Sequence, residues 1–150
     1  MKPIWSWLAI LFAALVSAGA APAPSILITN LPAYGSGSLL AGLVLNANTT
    51  TNAVAVFIYV PGYGWVTKPT CAQPLTPILP DGSWVANVAT GGAGDLTATR
   101  FAALLVGTNF NQACVLGLAN LPANHPARRA AEEKERDELE RRAAEARRRS

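Results

Sequence analysis

From Ser25 to Leu118 the chain is a series of short apolar runs punctuated by turn-forming residues. In Ser25–Asn30, Ile26 and Ile28 alternate with Leu27 and Thr29, the two-residue period of a half-buried strand. A turn-rich stretch, residues 31–38, follows. Leu39–Leu45 and Ala53–Val60 are apolar runs separated by the polar residues 46–52. The second places Val54, Val56, Ile58 and Val60 on one face and Phe57 and Tyr59 on the other. That β-branched and aromatic content predicts strand rather than helix. Asp81-Gly82 is a turn signal leading into Ser83–Val88, Thr90–Gly94 is a loop, and Arg100–Val106 and Ala113–Leu118 complete the set. Residues 98–106 also suit a helix on composition alone, but the strand spacing around them decides for strand. Pro69–Pro80 holds four prolines, which predicts an extended crossing rather than a central strand. About seven short strands with almost no helical periodicity predict an all-β, antiparallel sandwich.

The two ends follow other patterns. Lys2, the thirteen-residue apolar run Ile4–Val16 and the small residues Ser17-Ala18-Gly19-Ala20 read as a secretory signal peptide, 1–20, cleaved after Ala20. The run falls short of the roughly 20 residues needed to cross the hydrocarbon core, which sets aside an uncleaved anchor and leaves no membrane span after cleavage. The domain proper is then 21–126, and the tail 127–150 is built almost entirely of Ala, Glu and Arg, strong helix formers. Opposite charges recur four residues apart, as in Arg128–Glu132, Glu132–Arg136 and Glu138–Arg142, and predict an exposed charged helix or a partly disordered tail. Leu139 is its single large apolar residue, so no apolar stripe is available for docking.

Charge separates these regions further. Between the N-terminal apolar run and Arg128 only Lys68, Asp81, Asp95 and Arg100 are formally charged, so this body is neutral. The last 23 residues carry nine basic and seven acidic groups, a net of +2. A neutral body has no electrostatic footprint for a phosphate backbone, and nucleic-acid binding is not expected. Within the apolar body, Asp95 and Arg100 are expected to form a structural pair bracing one loop. Cys71 and Cys114 are the only cysteines. In a secreted chain an even count predicts a disulfide, with two separate buried thiols as the alternative. Neither a CxxC spacing nor a nearby His suggests metal, and no cofactor motif is present.

Candidate chemistry is scarce. Hydrolytic catalysis needs an acid, a base or an activated nucleophile in mutual reach. The body lacks Glu, its single His125 stands at the boundary with the tail, and Asp81 and Asp95 sit beside glycines in turns, where Asp serves local hydrogen bonding. Asp81 with Asp95 is the one pair open to glycosidase chemistry, and the expectation is a protein that is not an enzyme. Aromatic residues offer more. Pro61-Gly62-Tyr63-Gly64-Trp65 puts two rings in a glycine-loosened turn, the kind of place where rings are presented to ligands such as sugar faces. Tyr63 and Trp65, with Lys68 nearby, are the candidate ligand-binding residues, while Trp84 is expected in the core.

Several blocks together resemble a known module: Val56-Phe57-Ile58-Tyr59-Val60, Gly64-Trp65-Val66-Thr67-Lys68-Pro69, Asp81-Gly82-Ser83-Trp84, Thr90-Gly91-Gly92 with Asp95, and Ala98-Thr99-Arg100-Phe101. In order and spacing they are similar to a recurring immunoglobulin-like β-sandwich of secreted bacterial proteins, found alone or beside carbohydrate-active domains. The chain departs from that pattern where Val66 follows Trp65 in place of a second aromatic. The resemblance implies an accessory domain without catalysis, placed outside the cell, in the periplasm or at the cell surface. The expected partner is a polysaccharide or cell-surface component; the alternative is a structural or protein-interaction module whose charged tail contacts a protein partner.

Overall fold

The computed structural model describes residues 19–121 and 147–148, together with the backbone of 130–135. The expected signal peptide therefore lies outside the described residues, apart from the exposed Gly19 and Ala20. Among the described residues no helix is long and apolar enough to cross a membrane.

The strands are β1 (Ser25–Asn30), β2 (Leu40–Leu45), β3 (Asn52–Val60), β4 (Gly64–Lys68), β5 (Leu75–Pro77), β6 (Ser83–Ala86), β7 (Arg100–Gly107) and β8 (Leu116–Leu118), with β9 (Ala130–Glu135) from the charged tail. They make two antiparallel sheets, a sandwich as the alternation predicts. One is β1-β2-β6; the other is β8-β4-β3-β7-β9, with β5 also paired to β3. The stretch 98–106, helix-compatible by composition, is strand from Arg100 onward because β3 pairs with β7 along eight positions, from Asn52↔Gly107 to Tyr59↔Arg100.

Between the sheets, Ile26, Ile28, Leu40, Val44 and Trp84 meet the even-numbered face of β3 and Phe101, Ala103 and Leu105 of β7. Gly42 stands opposite Trp84 in the β2–β6 register. A Cβ there would fall 2.3 Å from the indole ring and 2.0 Å from the Leu27 carbonyl oxygen. The glycine is thus what lets the ring lie flat over β2, a close approach only a residue without Cβ allows.

The odd-numbered face of β3 is largely covered as well, with Tyr59 half-buried at its end. Ala55, Phe57, Trp65, Ala102, Leu104, Val106 and Val115 form a second core, with Phe110 and Leu121 packed against it. The chain after β7 crosses this outer face and is fastened there. Thr67 donates its backbone N–H to the Val115 carbonyl at 2.9 Å, while its Oγ1 accepts the Val115 N–H at 2.8 Å. Cys71 and Cys114 are joined in the expected disulfide across a separation of 43 residues.

Three elements differ from the sequence expectation. Gly64 and Trp65, read as part of a presenting turn, open strand β4, Gly64–Lys68. The turn is confined to 61–63, where Val60 O accepts the Tyr63 N–H at 3.0 Å and Gly62 takes φ +78° after Pro61. Pro at the second and Gly at the third turn position release the chain straight into a hairpin. Within the proline-rich crossing, Leu75–Pro77 pairs with Ala53–Ala55 and continues the line of β4 along β3. Finally, 130–135, expected as charged helix or partly disordered tail, is strand β9 on β7. The edge of β7 offers these residues ladder hydrogen bonds in place of the internal ones of a helix, and a helix preference of a few tenths of a kcal/mol per residue is small enough for tertiary pairing to override. The remainder of the expected tail helix lies outside the described residues, apart from the exposed Arg147 and Arg148.

Candidate functional site

Strand β4 carries both the candidate aromatic Trp65 and the candidate cation Lys68. Alternation sends Trp65 and Thr67 to the second core and turns Val66 and Lys68 to the opposite face. There the segment following β6, rather than another strand, lies against β4. This segment contains a 3-10 turn, Asp95–Thr97. Lys68 Nζ lies 2.5 Å from Asp95 Oδ2, and the two side chains are 4% and 5% exposed. The ammonium also donates to Thr90 Oγ1 at 3.0 Å. Asp95 Oδ2 further accepts the backbone N–H groups of Thr90, at 2.9 Å, and Gly92, at 3.1 Å. Thr90 closes the ring by donating its hydroxyl to the Pro69 carbonyl at 2.8 Å. One carboxylate thereby organises the 90–95 loop, and one ammonium fastens that loop to β4.

The pairing of Asp95 with Arg100 inferred from the sequence is replaced by this Lys68 pair. Arg100 instead places its guanidinium 5.4 Å from the ring centre of Tyr59 and 5.0 Å from that of Trp65. Those two rings meet edge to face at 5.5 Å. The physical reason is strand parity. In the β3–β7 register Arg100 stands opposite Tyr59, and Trp65 stands opposite Tyr59 across β3–β4, so all three share the outer face. Asp95 packs on the other.

Trp65 is 2% exposed and offers no ring face to a ligand; its candidacy is corrected to a core role. Trp84 is buried as expected. Tyr63 is 57% exposed. Its ring lies over Gly117 of β8, where a Cβ would come 3.5 Å from Tyr63 Cζ, so the ring is supported from below and open above. Lys68 is present at the site, but as a buried member rather than a surface charge.

Together these elements border an open groove of about 540 Å³. Val60, Tyr63, Val66 and Leu116 form apolar walls; Lys68, Thr90 and Asp95 form the polar floor; residues 69–71 and 92–94 make the rims. Cys71 stands in one rim, so the disulfide also ties this rim to the segment leading into β8. Of the expected site residues, the fold brings Tyr63, Lys68 and Asp95 to one groove and sends Trp65 and Arg100 to the opposite face of the sheet.

The other carboxylate is spent elsewhere. Asp81 Oδ1 accepts the Ser83 hydroxyl at 2.7 Å and the Ser83 N–H at 3.0 Å, and these bonds hold its carboxyl below the ordinary value. It caps the turn into β6 and does not join Asp95. His125 lies outside the described residues.

The fold's central ion pair was not drawn from the sequence, although a signal for it existed. A lone Lys in a strand of a nearly uncharged body must find a carboxylate if it is buried, and only two were available. No family model, curated protein or solved structure matches this chain.

Proposed function

We propose that this chain is an exported, non-catalytic β-sandwich binding module of immunoglobulin-like kind, with the groove beside Tyr63 as its ligand site. One observation carries the reading: an apolar-walled groove of about 540 Å³ with a supported, exposed aromatic ring at its mouth and a compact polar floor. Small-molecule sites have this character, about 300–1,000 Å³, mostly apolar, with a few fixed polar groups for orientation. The disulfide fits an oxidising compartment, and the apolar N-terminal run fits export. Both described carboxylates of the body are engaged in bracing turns, which favours binding over acid–base chemistry.

The test is an NMR titration of the labelled protein with a fragment library and an oligosaccharide panel, following Tyr63, Leu116 and Gly92. Compounds that shift these signals together should bind at least about tenfold more weakly to Tyr63→Ala. That variant should keep its stability within about 0.5 kcal/mol, because the ring is largely outside the core. Binding equal in both proteins, or no compound shifting the groove, would refute the assignment.

A further inference from the structure

The groove floor is an ion pair with hydrogen-bonding capacity left over. An ammonium has three donors and a carboxylate about four acceptor positions. Lys68 uses two donors, on Asp95 Oδ2 and Thr90 Oγ1. Asp95 takes all three of its hydrogen bonds on Oδ2, from Lys68, Thr90 and Gly92, and none on Oδ1 from any described residue. One N–H of a buried ammonium and one oxygen of a buried carboxylate therefore stand without partners among the described residues, and both residues line the groove.

Resting on the binding-module reading above, we infer that the groove takes an uncharged, pyranose-like ring whose neighbouring hydroxyls are read jointly by Lys68 and Asp95. A hydroxyl both donates and accepts. Two on adjacent carbons supply an acceptor for the Lys68 N–H and a donor for Asp95 Oδ1. The C–H face of such a ring suits Tyr63 and the walls of Val66 and Leu116. Charge narrows the class further. The floor is neutral as a pair, so an anionic ring that reaches the Lys68 N–H also brings its charge beside the Asp95 carboxylate, and a cationic one that reaches Asp95 Oδ1 brings its charge beside the Lys68 ammonium. Each places like charges together where water is largely excluded. The site is rigid enough to discriminate, since Lys68 sits on a strand, Asp95 is held by two backbone amides, and the rim is tied by Cys71.

The experiment uses the unmodified full chain, so no variant has to fold. The labelled protein is titrated with methyl glucopyranoside, methyl mannopyranoside and methyl galactopyranoside, with the monodeoxy form of each, with glucuronic acid, with glucosamine, and with linear gluco- and manno-oligosaccharides. The readouts are the groove amides and the Lys68 ammonium nitrogen signal. At least one neutral ring should shift both, one of its deoxy forms should bind about tenfold or more weakly, and both charged sugars should bind more weakly than their neutral parent. An oligosaccharide binding more tightly than its monomer identifies a polymer as the source; equal affinity identifies a free sugar or chain end. Glucuronic acid or glucosamine binding as well as the neutral ring would overturn the inference, as would deoxy forms that bind alike. Library fragments that occupy the groove while no pyranoside does would overturn it alone; silence from every compound would remove the binding-module reading too.

Discussion

Removing the cation from the groove floor should unfold a large part of this protein's stability. Lys68 and Asp95 are each about nineteen-twentieths buried. Replacing lysine by methionine, Lys68→Met, keeps most of the stem and deletes the charge, leaving the Asp95 carboxylate with only the Thr90 and Gly92 amides. Breaking a buried pair from one side costs about 3–5 kcal/mol, against about 0–1 kcal/mol for an exposed pair. The two surviving backbone bonds put the expectation at the lower end, about 3 kcal/mol. Against a typical total of about 5–15 kcal/mol, that is a substantial share. Urea unfolding measures it directly, as a fall in midpoint at unchanged slope. The double variant Lys68→Met/Asp95→Asn should lose less than the sum of the two single losses, since each single change leaves an unpaired group that the other removes. A loss below about 1 kcal/mol for Lys68→Met, or strict additivity in the double variant, would refute the account of a desolvated, mutually dependent pair.

Three other outcomes follow from the packing. Trp65→Ala should destabilise by about 3–5 kcal/mol as a core cavity, and a melting curve unchanged from wild type would return the ring to the surface. Replacing both cysteines by serine removes a closure over 43 residues, for which loop entropy predicts a loss of up to about 4 kcal/mol, measured by urea unfolding. No loss would mean that the Thr67–Val115 bonds alone hold the segment. The lowered Asp81 value makes its turn bonds fully effective above the ordinary carboxylate range, and they are lost as pH falls through that lowered value. Stability curves of wild type and Asp81→Asn should therefore converge in acid; a constant gap down to the lowest pH would contradict this.

Local pattern and tertiary context contribute to different parts of the protein. Alternation placed β1, β3 and the inner-face residues Ile26, Ile28, Val54, Val56 and Ile58, and an apolar run placed β2, because both patterns need only neighbouring residues to be seen. The pairing of Cys71 with Cys114 was legible because no other partner existed. Strand β4 was not, since Gly62 and Gly64 look alike in the sequence; the fold makes one a turn corner and the other the first residue of a strand.

What the sequence alone determined is the class of structure, strands with an apolar face to bury and one cross-link, together with the scarcity of charge that turns attention from catalysis toward binding. Which residues share the site was decided only by tertiary structure. Lys68 lies 27 positions from Asp95, and strand parity, not chain proximity, sends Arg100 to Tyr59 and Trp65 while leaving Asp95 for Lys68. The groove has the same origin. Its walls come from β3, β4, β8 and the 90–95 loop, and they meet because β8 pairs with β4 while the Lys68–Asp95 pair draws the 90–95 loop against it.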